Sequence, residues 1–198
     1  MKANIGDIIT LGKYPQNCKY GCSNDPIEWK VLDVKDGKAL VISVKALDMV
    51  RFNEKYADVT WESSILRAWM NGEFLEKAFT EEEKALIAET TVSTADNAKW
   101  GTKGGADTVD KVFALSKEEA DQYFKCNGCR QAEPTAYALG KGLYRLEENG
   151  KCCWWLRTPG YVQFAASRVN VTGGYSEAIY DDNKAHRAAR PAMWVTVE

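Results

Sequence analysis

Histidine is nearly missing from this chain: His186 is the single imidazole, so no multi-histidine metal centre can be built from it. His186 lies in a polar stretch with no recognisable nucleophile beside it, which suits a solvated or ligand-contacting side chain better than a general base. Long apolar runs are absent as well, and with them any stretch that reads as a membrane span. The opening Met1-Lys2-Ala3-Asn4-Ile5-Gly6-Asp7 has no apolar core of a secretion signal, so the expectation is a soluble chain, cytoplasmic or virion-associated, without membrane insertion. Charge of one sign is lacking too. Lys and Arg number 26 against 28 Asp and Glu, a net charge of -2, and no extended basic run supplies attraction to a phosphate backbone. Nucleic acid is therefore not the expected partner.

What the chain does have is enough apolar material for one substantial core: 198 residues, 45% hydrophobic, with seven Trp. Six cysteines fall in three local pairs, Cys18 with Cys22, Cys126 with Cys129, and the adjacent Cys152 and Cys153, a distribution unlike a dispersed disulfide framework and more in keeping with a reducing compartment. Cys18, Cys22, Cys126 and Cys129 have the residue types of a closed four-thiolate zinc site; free thiols and two local disulfides are the alternatives. No cofactor is required, and structural zinc is possible at these cysteines. Cys126-x-x-Cys129 follows a helix-like stretch instead of opening one, which removes the dipole that activates a redox nucleophile.

Along the chain, Ile8-Ile9-Thr10-Leu11 reads as a strand, and residues 27–34 and 38–44 read as a hairpin turned by Asp36-Gly37, two residues that tolerate positive φ. Thr60 is placed as the N-cap of a helix over residues 61–74, with Ile65, Leu66, Trp69 and Met70 at helical spacing. Thr80-x-x-Glu83 and Ser116-x-x-Glu119 are capping boxes that announce two more helices. The turn-rich residues 93–110 predict a surface loop; its acidic residues lack the spacing of an EF-hand. A strand is predicted over 111–115, and Trp-rich buried strands flank a segment running from Tyr161 to Arg187. Strands at both ends with helices between them give an α+β domain. Arg157 and Arg190 border the two flanking strands and are expected to hold ion-pair or carbonyl partners.

The flanked segment is too polar for a core element and too aromatic for a linker. Tyr mixed with Ser, Gly, Asn and Asp is the composition of a recognition surface, because Tyr gives large contact area at low entropy cost; ordinary surface loops share the same composition.

A set of blocks in order carries a family resemblance: Leu11-Gly12-Lys13-Tyr14-Pro15-Gln16, Ile27-Glu28-Trp29-Lys30-Val31-Leu32, Trp61 to Asn71, Asp110 to Ser116, Pro134-Thr135-Ala136-Tyr137-Ala138, Trp154-Trp155-Leu156-Arg157-Thr158-Pro159-Gly160 and Arg190-Pro191-Ala192-Met193-Trp194-Val195. Together they resemble a bacterial and phage family of C-type lectin-like domains, of the broader formylglycine-generating-enzyme type, that includes the variable proteins of diversity-generating retroelements. The resemblance covers nearly the whole chain. It implies a single C-type lectin-like domain over residues 1–198 with an antiparallel sheet, two or three helices, long loops and a variable ligand-binding segment over 161–187. By that resemblance the protein is a binder with no catalytic residues, and its partner is a protein or cell-surface macromolecule. Ligand contacts then fall among Tyr161, Gln163, Phe164, Ser167, Asn170, Tyr175, Glu177, Tyr180, Asp182, Asn183, Lys184 and His186. In the family, variation arises by changes at template adenines in Asn codons. Tyr, Ser, Asp, Ile and His are reachable that way; Gln163, Glu177 and Lys184 are not reachable from AAC or AAT.

A metal-dependent enzyme or a glycan-binding lectin on the same fold is the alternative. The catalytic block of the formylglycine-generating enzymes has no counterpart, and vicinal Cys152 and Cys153 point to opposite faces of a strand. Glu133-Pro134 superficially matches a lectin calcium motif without its companion Trp-Asn-Asp, so Thr135 is read as a cap in a turn.

Overall fold

A computed structural model describes residues 2–54, 57–177 and 187–198. Strands β1 (Ile8–Tyr14), β2 (Asp25–Lys35), β3 (Lys38–Ser43) and β11 (Ala192–Thr196) form one antiparallel sheet in the order β1-β2-β3-β11, which ties the two ends of the chain together. The hairpin between β2 and β3 turns at Asp36 and Gly37, with φ of 50° and 70°, as their residue types predict. In β1 the register shifts between Thr10 and Lys13, so Leu11 and Gly12 both face inward. Gly12 has φ 69°, and a Cβ there would lie 2.6 Å from the Ala78 carbonyl oxygen, so no other residue fits.

The second sheet runs β4 (Asp48–Met49), β10 (Ala188–Ala189), β7 (Trp154–Pro159), β8 (Ala166–Val169), β9 (Tyr175–Ser176). Only the β10–β7 pairing is parallel. Every residue of β7 is buried, as a central strand covered on both faces requires. The chain leaves β10 and enters β11 through Arg190-Pro191, so these two residues join the sheets. A short pair, β5 (Thr90–Val92) with β6 (Thr108–Asp110), completes the strands. The architecture is α+β with mostly antiparallel sheets.

Buried tryptophans carry much of the core, and each indole N–H has a partner, as a polar group taken from water demands. Trp29 donates to the Leu11 carbonyl at 2.8 Å, Trp61 to the Asp110 carboxylate at 2.9 Å, Trp154 to the Arg130 carbonyl at 3.0 Å, and Trp155 to the Val50 carbonyl at 2.8 Å. Trp194 differs from the buried reading of its strand: it is only half-buried.

The helices are short. The predicted helix over 61–74 is broken into α1 (Ile65–Trp69), a π-helical turn (Met70–Phe74) and α2 (Leu75–Ala78), and its cap is Ser64, not Thr60. The cause is long-range. Asn71 in the π turn donates to the Val112 carbonyl and accepts from the Lys111 and Val112 amides. Those same bonds occupy the amides that a strand over 111–115 needed; only Phe113 keeps a bridge, to Ala192. Both capping boxes are present, Thr80 with Glu83 on α3 (Glu81–Leu86) and Ser116 with Glu119 on α4 (Lys117–Tyr123). Helices α5 (Asn127–Arg130) and α6 (Ala136–Gly140) follow, α6 capped by Thr135, which accepts from the Ala138 amide. Among the described residues no helix is long and apolar enough to cross a membrane.

Candidate functional site

The end of β7 fixes the start of the candidate segment, and a loop far away in sequence is stitched over it. Asn97 donates to the Pro159 carbonyl at 2.9 Å and Thr102 to the Gly160 carbonyl at 2.7 Å. Gln163 completes the seam: its amide nitrogen donates to the Lys103 and Val59 carbonyls, and its oxygen accepts from the Lys103 amide. Residues 97–103 are thereby pinned at both ends, with Asn97 and Thr102 turned inward and residues 98–101 and 103 exposed.

On this platform Trp100 and Tyr161 meet edge to face, ring centroids 6.1 Å apart, and they remain 46% and 37% exposed. Beneath them Glu177 accepts from the Trp100 indole at 2.7 Å and from Lys117 at 3.2 Å, while Lys99 lies over the Trp100 ring and 3.8 Å from the same carboxylate. Burial pushes the Glu177 carboxyl up, but the Trp100 bond and the two lysines outweigh it and hold it below the usual carboxylate range. Glu177 is thus an ionised acceptor at neutral pH; its contribution is lost only as pH falls through that lowered value.

The next layer is Tyr175, whose hydroxyl donates to Asp121 at 2.7 Å and whose ring packs under the Arg130 guanidinium at 4.6 Å. Burial, then Asp121, raises its pKa, so the phenol stays neutral. Arg130 is itself buried, donating to the Gly173 carbonyl at 2.8 Å and pairing with Asp121. Asn170 forms the turn between β8 and β9, its oxygen accepting from the Thr172 and Gly174 amides. Gly173 in that turn has φ 82°, and a Cβ would overlap the Asn127 carbonyl at 1.7 Å.

The twelve residues expected to contact ligand therefore divide. Tyr161 faces solvent beside Trp100, and Phe164 is half-buried nearby in sequence. Gln163, Asn170, Tyr175 and Glu177 spend their polar atoms holding loops in place. Ser167 is a correction: it is fully buried in β8 and donates to the Pro159 carbonyl at 3.0 Å, because an inward strand position takes a small polar residue when a carbonyl is waiting. Tyr180, Asp182, Asn183, Lys184 and His186 lie outside the described residues.

Of the readings open for the four paired cysteines, the structure shows local disulfides. Cys18 bonds to Cys22 and Cys126 to Cys129, so each pair closes on itself, and no cluster of metal-ligating side chains forms among the described residues. Cys152 is buried and its thiol is pushed up to about 12, chiefly by desolvation; Cys153 is half-buried. Sequence reasoning missed Trp100, Lys99, Lys117, Asp121 and Arg130. Of these only Trp100 carried a local signal, a large aromatic placed in a turn-rich polar loop.

Arg157 and Arg190 have the roles expected of them. Arg157 forms a two-pronged pair with Glu119 and donates to the Ser93 and Ala114 carbonyls, and Arg190 donates to the Ser43 and Arg130 carbonyls.

Residues 36–197, most of the chain, match the family described as Domain of unknown function (DUF6273). The chain belongs to the DUF6273 family. The DUF6273 match begins at the β2–β3 turn and takes in both flanking Trp strands, the stitched loop and the whole candidate segment; β1 and all of β2 precede it. No curated protein and no solved structure matches this DUF6273 chain.

Proposed function

We propose that this chain is a ligand-recognition protein with a C-type lectin-like scaffold, and that it meets a protein or cell-surface macromolecule through the surface centred on Trp100 and Tyr161. The observation that carries the reading is the exposed Trp100–Tyr161 pair, braced from below by Glu177 and rimmed by Lys99 and Lys117. Exposing two large rings costs solvation and is repaid when a partner covers them; Trp and Tyr dominate the energetics of such contacts. A fixed platform adds to this, because the rings lose little freedom on binding.

The resemblance to retroelement variable proteins gives the reading its finer form, in which part of the 161–187 segment is rewritten while the scaffold is kept. Gln163 and Glu177, two of the residues that adenine changes cannot derive from AAC or AAT, are the ones engaged in holding the 97–103 loop. That agreement supports a split inside the segment between fixed braces and variable contacts. The test is genomic: the DNA beside the coding sequence is expected to hold an imperfect copy of the codons for Trp155 to Arg190, differing mainly at adenines and matching at the Gln163 and Glu177 codons. A complete neighbourhood with no such copy removes diversification from the reading.

A further inference from the structure

Away from the Trp100 surface, an open cleft of about 300 Å³ lies where the two sheets join, and its wall gathers Lys30, Lys45, Lys151 and Arg190 against a single carboxylate, Glu133. Such a concentration of positive charge is out of keeping with a chain of net charge -2. Glu133 does not neutralise it. Its carboxylate is bonded to Lys151 at 2.8 Å and is held below the usual carboxylate range by Lys151 first and Lys45 after it, so it is fully engaged by one edge of the cleft.

Arg190 is the unusual member. It is 4% exposed, yet among the described residues no carboxylate pairs with it. Nε donates to the Ser43 carbonyl at 3.0 Å and Nη1 to the Arg130 carbonyl at 3.2 Å, and the guanidinium lies over the rings of Trp154 and Phe124 at 4.9 and 5.5 Å. Those bonds engage Nε and Nη1 of a residue that lines the cleft. A buried charge is normally matched by a counterion, because neutral carbonyls return only part of its lost hydration. Burial lowers its pKa to about 10, still high enough to keep it charged at neutral pH. Arg157, equally buried, shows the contrast: it has Glu119.

We propose that this cleft binds a small ligand through a phosphate or sulfate group, with Arg190 at its base and Lys30 and Lys45 as point charges at its rim. A tetrahedral dianion supplies the counterion that the guanidinium lacks and offers oxygens to two flexible ammonium groups. The volume accommodates the group and a small body attached to it, while a long polyanion has no basic track leading away from the cleft. None of these residues belongs to the Trp100–Tyr161 surface, so the proposal stands apart from the recognition reading.

The test uses the whole chain with inorganic phosphate, inorganic sulfate and, at matched ionic strength, chloride. Millimolar phosphate or sulfate is expected to raise the thermal midpoint and to bind in calorimetry with a single site, and chloride to do neither. Lys30→Gln and Lys45→Gln, both at half-buried positions and without an ion pair among the described residues, are expected to leave the fold intact and to weaken phosphate binding ~10-fold each. Lys99→Gln, on the other surface, serves as the control and is expected to leave phosphate binding unchanged. Equal stabilisation by chloride, no binding of phosphate or sulfate by the folded wild type, or undiminished binding by the Lys30→Gln, Lys45→Gln double variant overturns the proposal. Tight binding of a phosphodiester oligonucleotide in place of the free anions overturns the assignment to a small ligand.

Discussion

Glu119→Ala is expected to lower the stability of the chain by ~3–5 kcal/mol, read as a fall in the urea midpoint at unchanged slope. Arg157 is buried in the central strand β7, and Glu119 is the carboxylate that faces it, Oε1 accepting from Nη2 at 2.7 Å and Oε2 from Nη1. Removing the carboxylate leaves a buried guanidinium with only the Ser93 and Ala114 carbonyls. The same side chain accepts from the Ser116 amide, so the N-terminal cap of α4 goes with it. Because α4 also supplies Lys117 to Glu177 and Asp121 to Tyr175, the loss reaches the candidate surface. Glu119→Gln keeps the cap acceptor and one acceptor for Arg157, and is expected to recover part of the loss. Equal stability of Glu119→Ala and wild type would show that the pair is not an anchor.

Asp48→Ala is the second large effect, again ~3–5 kcal/mol. Asp48 has no exposed surface and collects three donors from three parts of the chain: the Tyr14 hydroxyl of β1 at 2.6 Å, the Lys141 ammonium just after α6 at 2.7 Å, and the adjacent Met49 amide at 2.6 Å. Without it the fully buried Tyr14 hydroxyl has no acceptor and Lys141 loses its counterion. Burial pulls the Lys141 pKa down, and the bond to Asp48 overcomes this and leaves it raised; the Tyr14 pKa is raised by burial and then by Asp48. A raised folded-state pKa gives stability that is present below the unfolded value, ~10 for these groups, and is lost as pH rises through the folded value. The part contributed through Tyr14 and Lys141 is accordingly expected in full at neutral pH and to fade in strong alkali. Asp48→Asn, which still accepts from Tyr14, is expected to fall between wild type and Asp48→Ala in thermal unfolding.

The features that were legible in the sequence are those decided within a few residues. Asp36-Gly37 turns a hairpin by its own φ preferences, and Thr80-x-x-Glu83 and Ser116-x-x-Glu119 satisfy amides within one turn. Where the deciding partner is far along the chain, local reading failed. Helical spacing over 61–74 carries no sign that Asn71 will bond residues 111 and 112, yet that contact both opens the π turn and removes the expected strand. Ser167 read as surface because it is polar, while its partner, the Pro159 carbonyl, exists only once β7 and β8 are paired.

The candidate site divides in the same way. Tyr161 and Glu177 were found from composition, but the roles they hold come from Trp100 and Lys117, 61 and 60 residues away in sequence respectively from the partners they meet. The cysteines show a different limit. Spacing brings Cys18 within reach of Cys22 and Cys126 within reach of Cys129, and that spacing serves a thiolate site or a local disulfide equally well.

The central claim is that recognition and stability reside in different residues, and the Trp100→Ala, Tyr161→Ala double variant tests it most directly. Its unfolding free energy is measured beside its affinity for the strongest partner that the wild type retains from fractionated cell-envelope proteins and glycans. The expected result is stability within ~1 kcal/mol of wild type together with a loss of affinity of ~30-fold or more. Wild-type affinity in the double variant, or a loss of binding that merely follows unfolding, contradicts the account.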